Sequence, residues 1–269
     1  MTDELLEELL RARRKRLPCV LVTVAATTGS VPREAGAKML VYADRTISGT
    51  IGGGKFEALV VDDCLTSLRE KRTLLKRYPL HEASAESFGA ICGGESTVVI
   101  EPQNGERAIY LVGGGHVSRA IAKLAVECRM HVTVVEQRAE MLDSFPSPVQ
   151  CVADVDAPTF IAGHEWQDDE ALLLVSRNHD LDREALGAAL RSEGIKYLGM
   201  IGSRRKVRYV FDALRAIGIT DAQLSRVYAP LGLDIGADSP IEIAISALAE
   251  ILQVERGGAG GHLRDQSPA

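Results

Sequence analysis

Aromatic residues are scarce in this 269-residue chain, and no long apolar segment interrupts it. Phe, Trp and Tyr make up 4% of the residues, which disfavours the stacking surfaces that single-stranded nucleic acids bind. The net charge of −6 also argues against a surface for polyanions. No segment approaches the roughly 18 consecutive apolar residues of a membrane-spanning helix. We therefore expect no nucleic-acid partner and no insertion into a membrane.

Paired cysteines are absent as well. The five cysteines are scattered, odd in number and never spaced as a CxxC pair, which is atypical of disulfide frameworks and zinc ribbons. The acidic stretch from Met1 to Glu8 does not have the basic-then-apolar order of a signal peptide. Together these features predict a cytoplasmic protein with reduced thiols.

Two halves with different patterns follow one another along the sequence. The first is predicted to contain helices at 2–15 and 56–68 and strands at 19–26, 38–42, 46–51 and 96–100, with 72–80 ambiguous. In the first helix, Leu5, Leu6, Leu9 and Leu10 are predicted to share one apolar face.

The second half alternates strands with helices. Strands are predicted at 108–112, 131–136, 149–152, 171–175, 196–201 and 226–229, and helices at 116–128, 182–193, 203–217 and 240–254. This alternation predicts an α/β fold with a mostly parallel, Rossmann-like sheet. Turn residues at 101–105 place the boundary, so we expect a smaller α+β domain over 1–104, a Rossmann-like domain over 105–256 and a disordered tail over 257–269.

A glycine-rich turn joins the first strand of the second half to its first helix. The turn comprises Gly113, Gly114, Gly115, His116 and Val117. This is the order of a dinucleotide-binding βαβ unit, in which Gly113 makes the tight turn and Gly115 lets backbone approach a phosphate. Glu136 ends the next strand, where an acidic residue would accept from ribose hydroxyls and disfavour a 2′-phosphate. The alternative is a domain that uses these glycines only for packing.

Two further segments follow strands of the second half. Gly202, Ser203 and Arg204 predict a capped helix start that contacts a second phosphate, or else an ordinary helix with solvated basic residues. His179 and Asp180 follow another strand, where ligands bind in such sheets, and are candidate acid–base or ligand groups. The alternative there is a turn in which Asp180 or Asp182 caps the next helix.

Three glycine clusters in the first half each place bare backbone beside a charged or reactive side chain. They are Thr28 to Lys38, which includes Arg33; Gly49 to Glu57, which includes Gly52, Gly53 and Gly54; and Cys92-Gly93-Gly94. The glycines beside Cys92 would expose its thiol to a ligand. A free cysteine is otherwise most often a small buried apolar residue.

In combination, these segments resemble the XdhC/CoxI family. The resemblance spans roughly residues 20 to 253 and also includes Glu101-Pro102, Gly199 to Lys206, and Pro230 to Gly236 with Pro240 to Ala244. It implies an accessory protein that binds molybdenum cofactor, supports its sulfuration with a cysteine desulfurase, and delivers it to a molybdenum hydroxylase apoenzyme such as xanthine dehydrogenase. The chain would then be a cofactor chaperone rather than an enzyme.

The resemblance also assigns roles within the site. The cofactor, as molybdopterin or its dinucleotide form, would place its phosphate at the helix after Gly115. Its molybdenum would accept the soft thiolate of Cys92, and Arg33 and Lys38 would bind oxo or phosphate oxygens. The competing interpretation is an NAD-dependent oxidoreductase that binds NAD or another nucleotide and uses His179 as its acid–base group. A homodimer is the expected oligomer.

Overall fold

The computed structural model describes residues 3–80, 93–103, 107–167 and 169–265. The chain divides into two compact units, Met1–Glu106 and Arg107–Ala269. Each unit contains its own sheet and its own apolar core. None of the helices in these ranges has the length and apolar content to cross a bilayer.

Over its described residues, the first unit is an antiparallel sheet with two helices. Its elements are α1 (Asp3–Arg14), β1 (Cys19–Thr28), β2 (Lys38–Tyr42), β3 (Ile47–Gly49), α2 (Gly54–Glu70), β4 (Leu74–Pro79) and β5 (Glu95–Gln103). The strand order is β3-β2-β1-β5-β4, and every neighbouring pair is antiparallel. The ambiguous segment at 72–80 is therefore the edge strand β4.

Strand alternation assigns the two helices of this unit to different apolar clusters. Met39 and Val41 pack in the cluster of α2, whereas Leu40 between them packs in the cluster of α1. From α1 only Leu5 and Leu9 of the predicted leucine face are buried. The prediction for Leu6 and Leu10 was wrong, since these side chains are 41% and 44% exposed. Leucines at i and i+1 diverge by about 100° around a helix, so one neighbour of each pair turns outward.

The second unit is a six-stranded parallel sheet between helices. Its elements are β6 (Ala108–Val112), α3 (His116–Glu127), β7 (His131–Val135), β8 (Gln150–Val152), α4 (Ala157–Gly163), β9 (Glu170–Leu174), α5 (His179–Arg191), β10 (Tyr197–Met200), α6 (Arg204–Ala216), α7 (Asp221–Leu224), β11 (Val227–Tyr228) and α8 (Pro240–Arg256). Short 3₁₀ helices lie at Ala139–Met141 and Leu263–Asp265. The predicted fold class, Rossmann-like with an α+β unit before it, is confirmed.

The sheet of the second unit is covered on both faces. Leu172 and Leu174 pack in one apolar cluster with α5 and α6, while Leu173 packs in another with α3 and α8. Because both faces are covered, β6 and β9 are buried at every position and read as continuous apolar runs. The helices α4 and α7 were not predicted, since seven and four residues are too few to show a helical period.

The strand order places a switch point in the middle of this sheet. The order is β11-β10-β9-β6-β7-β8, so the chain proceeds outward in one direction from β6 and in the other from β9. The loops that follow β6 and β9 therefore separate and leave a crevice at the carboxyl edge of the sheet. Open α/β sheets bind their ligands at such a crevice.

Candidate functional site

A cavity of about 640 Å³ lies at this switch point. Its wall comprises 113–117 after β6, 136–138 after β7 and 175–178 after β9, with Met141, Leu181, Ile201 and Pro240. All of these residues belong to the second unit. The predicted turn at Gly113 to Val117 and the predicted Glu136 are thus brought together around one space.

The three glycines of the turn have different reasons to be glycine. Gly113 has a φ of +108°, and a Cβ there would lie 3.2 Å from the Cα of Ser176. A Cβ on Gly114 would lie 2.9 Å from the Cβ of Met141. Gly115 has an ordinary φ of −76°, and a Cβ there would meet no described atom within 4 Å. Packing explains the first two glycines, whereas Gly115 keeps a side chain out of the cavity.

The helix that follows the turn begins without a side-chain cap. Gly115 is the N-cap of α3, and no hydrogen bond from a described side chain caps this end of the helix. By contrast, Asn178, Ser203 and Ser239 cap α5, α6 and α8 with their own side chains. The first-turn N–H groups of α3 and the helix dipole would therefore favour an anion in the cavity.

Glu136 is a charged carboxylate that the protein itself saturates. Its Oε2 accepts from the Gly114 N–H at 2.9 Å and from Nη2 of Arg138 at 2.7 Å. Its Oε1 accepts from the backbone N–H of Arg138 at 3.1 Å and from Nε of Arg138 at 2.9 Å. The hydrogen bonds from the Arg138 side chain are the main cause that lowers the pKa of Glu136 to about 2.

Arg138 was not among the sequence-based candidates. Its position two residues after the acidic end of the second βαβ strand was the available signal, because a nearby arginine is a known variation of the ribose-binding position. Glu136 could accept hydrogen bonds from ribose hydroxyls only if the Arg138 side chain moved away from the carboxylate.

A buried ion pair anchors the loop after β9. The hydroxyl of Ser176 donates to Oδ1 of Asp182 at 2.7 Å, and the ammonium of Lys206 pairs with Oδ2 of the same carboxylate. Lys206 also donates to the backbone carbonyl of Ser176 at 3.1 Å. Asp182 is fully buried, and this burial raises its pKa despite Lys206. Lys206 is therefore a structural partner of this loop rather than a solvated basic residue.

His179 and Asp180 lie near the cavity but do not form its wall. The side chains are about half exposed, pair with each other at 3.4 Å, and His179 also packs edge-on against Tyr209. The helix begins at His179, and its N-cap is Asn178, which accepts from the N–H groups of Asp180 and Leu181. The prediction that Asp180 or Asp182 caps this helix was wrong, because the turn ends three residues earlier than the apolar pattern indicated.

The segment Gly202-Ser203-Arg204 is also outside the cavity wall. Ser203 caps α6 as expected, since its hydroxyl accepts from the N–H of Lys206 at 3.3 Å. Arg204 lines a separate shallow depression with Phe211 and Arg215. A side-chain cap already occupies this helix start, so a second phosphate has less reason to bind there than at α3.

The glycine clusters of the first unit meet at one edge of its sheet. A Cβ on Gly94 would lie 2.4 Å from the carbonyl oxygens of Thr28 and Ser30. A Cβ on Gly52 would lie 2.7 Å from the Cβ of Pro32. At Gly94, before β5, backbone therefore packs directly on the backbone of the loop after β1, and at Gly52, after β3, backbone packs against the Pro32 ring of that same loop.

Glu57 holds one of these loops in place. Its Oε2 accepts from the hydroxyl of Thr50 at 2.6 Å and from the N–H groups of Ile51 at 3.1 Å and Gly53 at 3.2 Å. Gly53 and Gly54 have positive φ, and a Cβ on either would meet no described atom within 4 Å. The hydrogen bonds to Glu57 thus fix a loop whose surface at Gly53 and Gly54 is bare backbone.

The remaining candidates of the first unit have mixed outcomes. Lys38 donates from its ammonium to the hydroxyl of Thr23 at 2.7 Å, and Arg33 is exposed. Gly93 is exposed, with open space where its Cβ would be. Cys92, the predicted metal ligand, lies outside the described residues.

The described cysteines divide into two kinds. Burial raises the pKa of Cys19 to about 11 and that of Cys64 to about 12, so both thiols stay protonated and inert. Cys128 and Cys151 are exposed. Within the described ranges, no three His, Cys, Asp or Glu side chains cluster as metal ligands would.

These features define a class of protein: a Rossmann-type α/β unit with a glycine turn and a switch-point cavity, preceded by an antiparallel α+β unit. Comparison with known families identifies the class more closely. Residues 109–251 match the XdhC Rossmann domain, and residues 12–79 match the XdhC and CoxI family. The chain belongs to the XdhC and CoxI family, and the resemblance expected from its motifs is confirmed.

Three curated relatives put this membership in context. The chain is 34% identical over 256 residues to the uncharacterized protein YqeB of Escherichia coli (strain K12), covering 94% of this chain and 47% of that protein. It is 25% identical over 150 residues to a probable xanthine dehydrogenase subunit of Bacillus subtilis (strain 168), covering 55% and 43%. It is 24% identical over 276 residues to the molybdenum cofactor insertion chaperone PaoD of Escherichia coli (strain K12), covering 87% and 83%. The chain thus spans less than half the length of the first two.

One solved structure shares the whole architecture. A Bacillus halodurans protein described as a xanthine dehydrogenase matches with a TM-score of 0.51 and 20% identity, covering 99% of this chain and 98% of that one. At this level of identity the match concerns the fold alone.

Proposed function

We propose that this chain is an accessory protein that binds molybdenum cofactor and delivers it to a molybdenum hydroxylase apoenzyme. The observation that carries the proposal is the open space beside Gly115, a residue of the cavity wall at the uncapped start of α3. A phosphate-bearing cofactor fits such a space. Family membership and the distant similarity to an insertion chaperone supply the cofactor class.

The residues present suit different parts of this cofactor. Molybdopterin carries a phosphate, and its dinucleotide form carries a longer anionic chain, so either suits the first turn of α3. When bound, the cofactor would supply the molybdenum, and Cys92 is the thiol that we propose as its ligand. Sulfuration with a cysteine desulfurase is part of the same proposal.

The turn provides the sharpest test of cofactor retention. Gly115→Val adds a side chain that projects into the cavity at an unstrained φ, so the fold should persist while the pterin content of the purified protein falls several-fold. Gly163→Val is the matched control, because a Cβ at Gly163 also meets no described atom and lies outside the cavity wall. Pterin is measured by fluorescence after oxidation, and melting is recorded for each variant. If wild type and a folded Gly115→Val variant contained equal amounts of pterin, the cofactor phosphate would not bind at this turn.

The proposed thiol ligand has its own test. Cys92→Ala should strongly reduce retention of molybdenum, measured by elemental analysis of protein expressed with its cofactor. Cys64→Ala is the control, since Cys64 lies in the core of α2 and its loss should cost roughly 1 kcal/mol of stability without loss of metal. Full molybdenum content in Cys92→Ala would mean that this thiol is not a ligand.

An NAD-dependent oxidoreductase is the weaker candidate. It would need an acid–base group beside the bound nicotinamide, and His179 is half exposed and absent from the cavity wall. Tight NADH binding by protein that never acquires pterin would favour this alternative.

A further inference from the structure

The rim of the switch-point cavity at the end of β7 carries a fixed cation. Arg138 lies against Glu136 through Nε and Nη2, so two parallel hydrogen bonds orient its guanidinium plane. The Glu136 side chain is 8% exposed, whereas the Arg138 side chain is 62% exposed. The carboxylate of Glu136 is thus buried in the cavity wall, and the guanidinium of Arg138 faces the solvent at the cavity mouth.

The carboxylate of Glu136 has no acceptor position to spare. A carboxylate offers about four lone-pair sites, two on each oxygen. Gly114 N–H and Arg138 Nη2 take the sites on Oε2, and the backbone N–H and Nε of Arg138 take those on Oε1. A ribose diol could bind here only after the guanidinium had moved away, which would leave a buried charge with fewer partners.

The guanidinium, in contrast, keeps donors for a ligand. Arg has five N–H donors in one plane, and Glu136 engages Nε and one N–H of Nη2. Among the described residues, Glu136 is the one carboxylate that hydrogen-bonds to Arg138. The N–H groups of Nη1 lie on the far side of the fork from Glu136, where they can donate to an anion. Arg177 also lines the cavity, which adds positive charge.

We propose that Arg138, held by Glu136, forms an anion subsite that takes a phosphate monoester on the ribose of a bound nucleotide in preference to free ribose hydroxyls. This inference goes beyond the proposed function, because the dinucleotide form of the cofactor has free ribose hydroxyls and the ligand of this subsite would be a second, phosphorylated nucleotide. It reverses the expectation that the acidic residue after β7 disfavours a 2′-phosphate. Glu136 acts as a positioning residue for the arginine, and Arg138 makes the contact.

Two probes that differ by one phosphate test the subsite. ADP-ribose and 2′-phospho-ADP-ribose are titrated calorimetrically into the full chain at two salt concentrations. Wild type should bind the 2′-phosphorylated probe about tenfold or more tightly, as expected for added charge-assisted hydrogen bonds, and salt should weaken that preference. Arg138→Leu should bring the ratio of the two affinities close to one, and Arg138→Lys should keep part of it.

Two further variants separate the roles of the pair. Arg119→Leu is the matched control, because Arg119 lies on α3, bonds to Ser144 and does not line the cavity; its affinity ratio should equal that of wild type. Glu136→Gln loosens the fork, so the ratio of the two affinities should fall towards one, mainly through weaker binding of the 2′-phosphorylated probe. If Glu136 instead binds the ribose hydroxyls, Glu136→Gln would lower the affinity for ADP-ribose.

Equal or tighter binding of ADP-ribose by wild type would overturn the subsite and mean that Arg138 swings away from Glu136. Binding of neither probe at millimolar concentration would overturn it too, since the cavity would then not take a nucleotide diphosphate. The proposed chaperone function fails separately, through absence of pterin from the purified protein.

Discussion

Two carboxylates, Glu136 in the cavity wall and Asp182 behind Ser176, have pKa values that are shifted in opposite directions. Glu136 accepts four hydrogen bonds, of which the Arg138 side chain supplies two, and its pKa falls to about 2. Asp182 is buried deeply enough that desolvation outweighs its partners Lys206 and Ser176, and its pKa rises. The difference shows that the balance between desolvation and hydrogen-bond donors sets the pKa of a buried carboxylate.

Glu136 should make the protein sensitive to acid. Because its folded pKa of about 2 lies below the ordinary 4.5, its stabilising contribution is complete above pH 4.5 and is lost as the pH falls towards 2. Screening by solvent around the exposed Arg138 limits this contribution to about 1 to 2 kcal/mol. The stability gap between wild type and Glu136→Gln, measured by urea unfolding, should therefore narrow as the pH is lowered.

Asp182 contributes with the opposite sign. A raised pKa in the folded state means that the folded protein gains protons first, so this group offsets part of the loss as the solution becomes acidic. The stability gap between wild type and Asp182→Asn should therefore move in favour of wild type as the pH is lowered, and a gap that moves the other way would contradict the raised pKa.

Removing Lys206 should destabilise the fold strongly. Lys206→Met leaves the fully buried Asp182 without its ion-pair partner, a change that typically costs about 3–5 kcal/mol. Arg205→Met is the matched control, since Arg205 is exposed on the same helix and should change stability by less than about 0.5 kcal/mol. Adding Asp182→Asn to Lys206→Met should recover part of the loss. Equal unfolding curves for Lys206→Met and Arg205→Met would mean that the Lys206–Asp182 pair contributes little to stability.

At the scale of elements, the glycine turn and the start of α3 act as one unit. Gly115 provides no side chain to cap α3, and Gly113 packs against the loop after β9. Its stability therefore comes from the backbone contacts of Gly113 and Gly114, while Gly115 keeps the helix start open to the cavity.

Alanine at two neighbouring glycines should separate these roles. Gly113→Ala forces a Cβ into a positive φ and to 3.2 Å from Ser176, so it should cost at least about 1–2 kcal/mol. Gly115→Ala meets no described atom and keeps an ordinary φ, so thermal unfolding should change little. A larger loss of stability in Gly115→Ala than in Gly113→Ala would contradict this division.

The sequence predicted the elements that have a strong period and missed those that depend on single contacts. The strand-turn-helix order around Gly113 and the cap at Ser203 were found because they are local patterns. The Lys206–Asp182 pair was missed because its members are far apart in the sequence and meet only in the folded protein. The Arg138 fork is local and was missed although the position of Arg138, two residues after Glu136, was a signal. Asn178 was passed over because several polar residues there could have capped α5.

At the scale of the whole molecule, each unit has its own apolar core. The reactivity of the described thiols can therefore measure the unfolding of each unit separately. Cys19 and Cys64 are buried in the first unit, while Cys128 and Cys151 are exposed on the second. In a Cys92→Ala background, a thiol reagent should label Cys128 and Cys151 at once. It should label Cys19 and Cys64 only when the first unit opens.

Labelling along a denaturant series would then measure the stability of the first unit by itself. The readout is the mass of peptides that contain each cysteine. Fast labelling of Cys64 under native conditions would contradict its burial between α2 and the sheet. Labelling of Cys19 and Cys64 at a denaturant concentration where the second unit remains helical would show that the units unfold independently.

The contact between Gly113 and Ser176 limits how the cavity could be redesigned. On that side, main chain lies against main chain, so no choice of amino acid can widen the space without moving two strands. On the β7 side the wall is built from the side chains of Glu136, Arg138 and Met141, which substitution can shorten or recharge. Library selection for a new ligand should therefore accumulate its changes at 136–141 and leave 113 and 176 untouched.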